Sequence, residues 1–428
     1  MAARAAPFFD LRDAAATGHR AIVTHTARIA AFQTAWAPAT VEVTGDELPL
    51  SALEFALNAQ GWCLLTGPVV SDRRAGISLA ALDTLVRRCA DFEIGVLSIE
   101  ADGSKMRPVK APGEHEPVVP AATTVLMPVM GLDALEAEIS DRWVHRPEQV
   151  RQVLGLPEDE LVRLTPAMAA RLMLHAAGGA KARPAAARLA VLLNKADDPT
   201  RLTLGRLTAR TIAGQGELAL IAAAGELTQR PVLERWAPVA AILLAAGAAT
   251  RMGRPKQVEI VDGQPMVVRA VLTALDSGVD QVIVVTGAHA ELVNAALAPL
   301  REDRRVQLVH NLQWASGQAS SMHLGLATLR PAVEAALFMP VDQPYLTPLL
   351  LRRLLQAWRK GAPIAAPQVA GLLRGAPAIF DGSRFATLLG IRGDVGGRAL
   401  LQSQQTLVTP IPADPAWLHD IDQPDDLI

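Results

Sequence analysis

Residues 240–256 read Ala240-Ala-Ile-Leu-Leu-Ala-Ala-Gly-Ala-Ala-Thr-Arg-Met-Gly-Arg-Pro-Lys256. The opening run, Ala240 to Ala245, is continuously apolar and leads into Gly247, the pattern of a buried parallel strand. The loop that follows is made of alanine and glycine, and small residues let backbone N–H groups approach an anion closely. Arg251 and Lys256 come next, two cations within reach of the same pocket and able to neutralise a triphosphate. A glycine turn with two solvated basic residues is the competing reading of the loop taken alone. The Walker A spacing GxxxxGK(S/T) occurs nowhere in the chain, so this is a different kind of phosphate loop.

The flanking sequence extends this strand into a sheet. Pro265 opens an amphipathic stretch ending near Gly278, with proline at the first turn and glycine beyond the last. Gln281–Thr286, Val306–Val309 and Ala335–Val341 read as strands, with helical patterns at Ala290–Leu300 and Gln318–Leu329 between them. Strand and helix alternate, which predicts an open parallel α/β sheet. Ligands bind such sheets outside the carboxyl ends of the strands, where Gly247 follows the first strand and Asp342 the fourth.

Composition narrows the class. The chain has 428 residues, half of them apolar, enough for two or three domains with sizeable cores. Lys+Arg 41 against Asp+Glu 43 gives a net charge of −2, which argues against a broad nucleic-acid footprint. Cys63 and Cys89 can make neither a disulfide framework nor a four-thiolate metal site, and read as buried thiols in a reducing compartment. No apolar run approaches the ~20 residues a membrane helix needs. Asp10 and Asp13 interrupt the start of the chain where a signal peptide would be apolar. The expectation is a soluble cytoplasmic protein. A polar stretch with two prolines at 225–240 marks the boundary, dividing the chain into domains 1–225 and 238–428 with a linker at 226–237.

The pattern LAAGAATRMGRPKQ resembles the signature of the MobA-like nucleotidyltransferases, and most resembles their molybdenum cofactor cytidylyltransferase (MocA-like) branch. The resemblance continues through Pro340-Val-Asp342-Gln-Pro344, Arg374-Gly-Ala-Pro377, Gly393-Asp-Val-Gly-Gly-Arg398 and Asp420-Ile-Asp-Gln-Pro-Asp-Asp426, covering essentially all of 238–428. It implies an open, mainly parallel sheet of the nucleotide-diphospho-sugar-transferase type. It also implies transfer of CMP from CTP to the molybdopterin phosphate of molybdenum cofactor, releasing pyrophosphate, for the maturation of xanthine-dehydrogenase-type hydroxylases.

That chemistry suits the residues present. A phosphorylated acceptor, with a second pKa near ~6, is already largely ionised, so in-line displacement at the α-phosphorus needs no strong general base. It needs positioning, a hard cation, and positive charge for the departing pyrophosphate. Asp342, at a strand end opposite the loop, is placed to hold Mg²⁺ through oxygen. By resemblance, Asp422 is the second carboxylate. Arg251 and Lys256 would hold the phosphates, and Leu244, Ala245, Ala246 and Gly247 would cradle base and ribose. Gly317, Ser320 and Ser321 resemble the stretch that lines the base, although Ser320 would serve equally as the cap of the next helix. His289, His310 and His323 show no metal spacing.

The first half reads as α/β too, with buried strands at Ala21–Thr24, Glu93–Glu100, Val125–Val129 and Leu189–Leu193. Glu100 and Asp102 lie just after an apolar strand, where a phosphate-binding domain would coordinate metal. Thr24-His-Thr26, Gly131-Leu-Asp133, His145-Arg-Pro-Glu148, Gly178-Gly-Ala-Lys181 and Leu193-Asn-Lys-Ala-Asp197 together resemble the YqeC-like accessory family of selenium-dependent molybdenum hydroxylases. Asn194-Lys195-x-Asp197 also resembles the base-reading motif of GTPase-like P-loop proteins. Family members begin with a glycine-rich phosphate loop; here the sequence starts inside the helix after it, around Phe8–Gly18. The expectation is therefore a P-loop-like domain without its Walker A loop, which helps to hand over or modify the cofactor and carries no assigned catalysis. Two further readings stay open: the same fold with another NTP or acceptor (guanylyl or sugar-phosphate nucleotidyl transfer), and a non-catalytic cofactor-binding chaperone.

Overall fold

The computed structural model describes residues 18–158, 160–224, 231–249, 252–393 and 398–427. The expected helix before Gly18 lies outside the described residues. The chain divides into two compact units, Met1–Leu233 and Glu234–Ile428.

In the first unit β1 (Arg20–His25), β2 (Thr40–Glu42), β3 (Trp62–Thr66) and β4 (Ile94–Glu100) form one sheet in the order β2-β3-β1-β4, parallel throughout. Helices α1 (Leu50–Gln60) and α2 (Leu79–Arg88) bury Leu53, Leu57, Leu82 and Leu85 against Ile22, Cys63 and Leu65. A second parallel sheet contains β5 (Val129–Gly131), β6 (Arg188–Asn194) and β7 (Leu218–Ala222), with β6 in the middle. The expected strand Val125–Val129 is interrupted: Val125–Leu126 and Val129–Gly131 both pair with β6, and Pro128 between them has no N–H to give the ladder. The strand at Trp62–Thr66 is not visible in the sequence, because a five-residue apolar run without alternation carries no period of its own.

The second unit is built on a mixed sheet. Strands β8 (Val239–Ala245), β9 (Gln281–Thr286), β10 (Val306–His310) and β11 (Ala335–Pro340) run parallel in the order β10-β9-β8-β11. Beyond β11 come β12 (Ile364–Val369), β13 (Ala378–Asp381) and β14 (Val408–Pro412): β13 lies antiparallel between β11 and β12, and β14 runs parallel to β12. Helix α3 (Met266–Ser277) ends at Gly278, whose φ of 89° provides the left-handed cap. Helix α4 (Gln318–Ala327) packs Met322 and Leu326 on Ile242, Ile283 and Phe338. Helix α5 (Pro348–Arg359) starts from a Thr347 cap and buries Leu351, Leu354 and Trp358. The expected helix Ala290–Leu300 is α-helical only to Ala296, followed by a 3₁₀ turn at Ala298–Leu300.

Part of the expected linker 226–237 is ordered, because Val232–Trp236 is a strand. Glu234 and Trp236 are 2% and 8% exposed, and Glu234 accepts hydrogen bonds from Trp236 Nε1 at 3.0 Å and Gln356 Nε2 at 2.8 Å. Arg235 pairs with Asp381 at 2.6 Å and lies 4.7 Å from the Trp358 ring centroid. The charged letters of this segment imitate a linker, but they are paired inward. Among the described residues no helix is long and apolar enough to cross a membrane.

Candidate active site

Strands β9, β8 and β11 end level, with Ala245 opposite Thr286 and Leu244 opposite Pro340. Three segments therefore emerge at one edge: the loop from Ala246, Gly287–His289, and Val341–Asp342. Ala245 and Ala246 are buried while Gly247 is exposed. Arg251 lies outside the described residues.

The loop is held from two sides, and neither is visible in the sequence. Gln257 is 3% exposed, and its Nε2 donates to the carbonyls of Gly247 at 2.7 Å and Ala245 at 3.2 Å. The segment after β9 closes on the other side: Ala288 N donates to the Ala246 carbonyl at 3.1 Å. His289 Nε2 lies 3.1 Å from the Ala248 carbonyl, a bond that requires the proton on Nε2. Gly287 permits this approach, since a Cβ there would fall 2.5 Å from the Ala246 oxygen and 2.8 Å from Trp314 Cβ. Glutamine in a basic loop and a lone glycine after a strand carry no signal specific enough to be read in advance.

Lys256, Asp342 and Asp422 come together. Lys256 Nζ donates to Asp342 Oδ2 at 2.6 Å and Asp422 Oδ1 at 2.9 Å, with all three side chains only partly exposed. Ile421 N donates to the Asp342 carbonyl at 2.8 Å, which lays the C-terminal segment beside the strand end. Asp426 Oδ2 accepts from the backbone N–H groups of Asp422 and Gln423 at 2.8 and 2.9 Å, forming the turn that presents Asp422. Burial opposes the Lys256 charge, but Asp342 and Asp422 more than offset it and its pKa stands above the ordinary lysine value. The neighbouring Asp420 accepts from Gln343 Nε2 at 2.9 Å. Burial, reinforced by the Asp342 and Asp422 charges, pushes its carboxyl above the usual range.

This donor set fits a hard divalent cation. Two carboxylate oxygens already flank one positive charge, and magnesium is commonly held by one or two carboxylates, with waters and substrate phosphates completing the shell. Among the described residues no group of three or more His, Cys, Asp or Glu could hold a metal, so a cation here would depend on phosphate oxygens.

Ser320 and Ser321 are engaged by Asn311, 5% exposed, whose Nδ2 donates to their hydroxyls at 2.8 and 2.9 Å. The Ser320 hydroxyl donates to the Gly317 carbonyl at 2.8 Å and does not cap the helix, which starts from Gly317 without a side-chain cap. Gly317 has φ of 111° and follows the Trp314–Ser316 turn that abuts Gly287. A cavity of about 930 Å³, lined by Arg269, Pro344, Tyr345, Trp417 and His419 among others, includes none of the expected nucleotide residues in its wall.

A loop clasped at its carbonyls thus stands beside a lysine paired with two acids, and the C-terminal unit is a nucleotidyltransferase. Residues 241–407 match the family described as MobA-like NTP transferase domain, and residues 8–148 match YqeC protein. The chain belongs to both families, a YqeC domain joined to a MobA-like NTP transferase domain. It is 31% identical over 180 residues to YqeC of Escherichia coli (strain K12), covering 42% of this chain and 67% of that protein. It is 35% identical over 196 residues to nicotine blue oxidoreductase of Paenarthrobacter nicotinovorans, covering 43% of this chain and 92% of the relative. Among solved structures, Rv0371c from Mycobacterium tuberculosis H37Rv aligns at 27% identity and a TM-score of 0.38, over 44% of this chain and 95% of that one.

Proposed function

We propose that the C-terminal unit transfers CMP from CTP to the terminal phosphate of molybdopterin in molybdenum cofactor, releasing pyrophosphate. One observation carries this reading: a lysine held between two carboxylates at the level strand ends, beside a backbone loop open at Gly247. The loop would receive base and ribose, with Gln257 fixing two of its carbonyls. Asp342 and Asp422 would hold Mg²⁺, which when bound supplies charge neutralisation across the phosphates. Lys256, released from the acids, would turn to the β- and γ-phosphates and stay with the pyrophosphate as it leaves. Arg251 would add the second positive charge. The acceptor phosphate attacks the α-phosphorus in its ionised form, so the site needs no dedicated base.

The choice of CTP rests on the loop sequence, as does the choice of acceptor. The YqeC domain would serve delivery of the finished cofactor to a molybdenum hydroxylase partner in the cytoplasm. An oxidoreductase reading comes only from the name of the 35% identical relative. Incubating the protein with molybdenum cofactor, CTP and Mg²⁺ and detecting the cytosine dinucleotide cofactor by mass spectrometry tests the proposal. Unchanged cofactor would refute it.

A further inference from the structure

The N-terminal unit contains a second lysine clamped as Lys256 is. Lys110 Nζ donates to Asp102 Oδ1 at 2.6 Å and Glu116 Oε2 at 2.9 Å, the same pair of distances that Lys256 shows to Asp342 and Asp422. The first acid of each pair stands two residues past a parallel strand, Asp102 after β4 and Asp342 after β11. The Lys110 side chain is 13% exposed and that of Asp102 18%. Burial raises the Asp102 carboxyl, whereas the hydrogen bond from Arg146 holds Glu116 far below the usual carboxylate range.

The surroundings favour a ligand. The two sheets described for this unit bring carboxyl ends to the connection around residues 101–118, where Val109–Lys110 pairs in parallel with Val144–His145. Thr26, after β1, donates through Oγ1 to the Val118 carbonyl at 3.2 Å; Gly131, at the end of β5, donates through its N–H to Pro108 at 2.8 Å. Further cations gather there: Arg146 Nη1 reaches Glu116 Oε2 at 2.6 Å, and Lys181 donates to the Gly113 and Glu114 carbonyls. Lys195, directly after β6, pairs with Asp133 Oδ2 at 2.6 Å. Asn194 is 1% exposed; its Oδ1 accepts from Lys195 N and Ala224 N, while its Nδ2 has no partner. The Asp133 Oδ1 atom is likewise buried without a partner. A partly buried ion-pair network is a poor source of stability compared with apolar packing, so its presence at converging strand ends points to binding.

We propose that this junction is a second binding site, for a phosphate group carried with a divalent cation. Asp102 and Glu116 would hold the cation, and Lys110, Arg146 and Lys181 would take phosphate oxygens. The inference does not depend on the reaction assigned to the C-terminal unit. It is tested on the full chain by counting bound Mn²⁺ in the presence of pyrophosphate, from loss of the free-ion electron paramagnetic resonance signal. The expected count is two in the native chain, one in Asp342→Asn, and none once Asp102→Asn is added. Asp342→Asn leaves the N-terminal unit untouched, so zero ions bound to that folded variant overturns the proposal without any change to the second site. A count that adding Asp102→Asn does not lower overturns it too. Replacing pyrophosphate with CTP or inorganic phosphate in Asp342→Asn distinguishes a nucleotide ligand from bare phosphate; retention of one ion with either supports the site.

Discussion

Lys256 and Asp422 are 166 positions apart in the chain, and their side chains meet at 2.9 Å. The C-terminal segment is therefore part of the centre that begins at the loop after β8. Asp342 reaches the same ammonium from a third direction in sequence. One positive charge holds two acids that would otherwise repel each other.

Lys256→Ala leaves those acids facing without a counter-charge. Breaking a fully buried pair costs about 3–5 kcal/mol, and partial exposure here reduces the expected loss to about 1–2 kcal/mol. Mn²⁺ or Mg²⁺ supplied with pyrophosphate should recover most of that loss by occupying the vacated position, the phosphate oxygens completing the shell. Thermal unfolding with and without the ion checks both statements. A variant that is destabilised yet indifferent to either cation would show that the acids do not bind metal.

Asp342→Asn keeps side-chain volume and removes the charge. Nucleotidyl transfer should fall by about 10²–10³-fold, the scale for losing one preorganised electrostatic group. Circular dichroism should not change. Native-like turnover would take Asp342 out of the metal site.

Gln257→Ala should act on the nucleotide rather than on the fold. It unlatches the Ala245 and Gly247 carbonyls, each bond contributing about 0.5–1.5 kcal/mol net. The expected result is a fall of about ten- to a hundredfold in kcat/KM for the nucleotide, with a smaller change for the acceptor. The reverse ranking would place the loop on the acceptor side.

Asp420 gives a pH signature. Its folded-state carboxyl titrates above the ordinary aspartate value of 3.8, so the fold holds this proton at pH values where the unfolded chain has released it. Stability from this group falls as pH rises from 3.8 through the folded value, and ionised Asp420 is a cost at neutral pH. Asp420→Asn retains an acceptor for Gln343 and removes the charge, so its melting temperature should exceed native at pH 7 and converge with it below pH 3.8. A loss of stability at pH 7 would contradict the sign.

The parallel half of the C-terminal sheet is legible in the sequence because its strands are continuous apolar runs punctuated by glycine and proline. Strands β12 and β14 are hidden by Pro367, Pro410 and Pro412, residues that ordinarily argue against a strand. Lys256, Asp342 and Asp422 are legible as motif positions, but their meeting depends on the Ile421–Asp342 backbone bond, which no local pattern encodes. Gln257, Gly287 and Asn311 act through carbonyls and hydroxyls brought close only by the fold. Glu234 and Arg235 imitate a linker because inward pairing does not show in composition.

That last point changes where the chain should be cut. A fragment starting at residue 237 loses the Arg235–Asp381 pair, the stacking on Trp358 and the buried Glu234 bonds. It should be less stable than one starting at 231, by about 2 kcal/mol. Urea midpoints of the two fragments measure the difference, and equal midpoints would show that the strand Val232–Trp236 contributes nothing to this unit.

Pyrophosphate release tests the central claim most directly, measured with each of the four NTPs in turn, Mg²⁺, and molybdenum cofactor either present or omitted. The account predicts release with CTP well above the other nucleotides, dependent on the cofactor and lost in Asp342→Asn. Release with GTP in preference to CTP, or no release with any nucleotide, would contradict it.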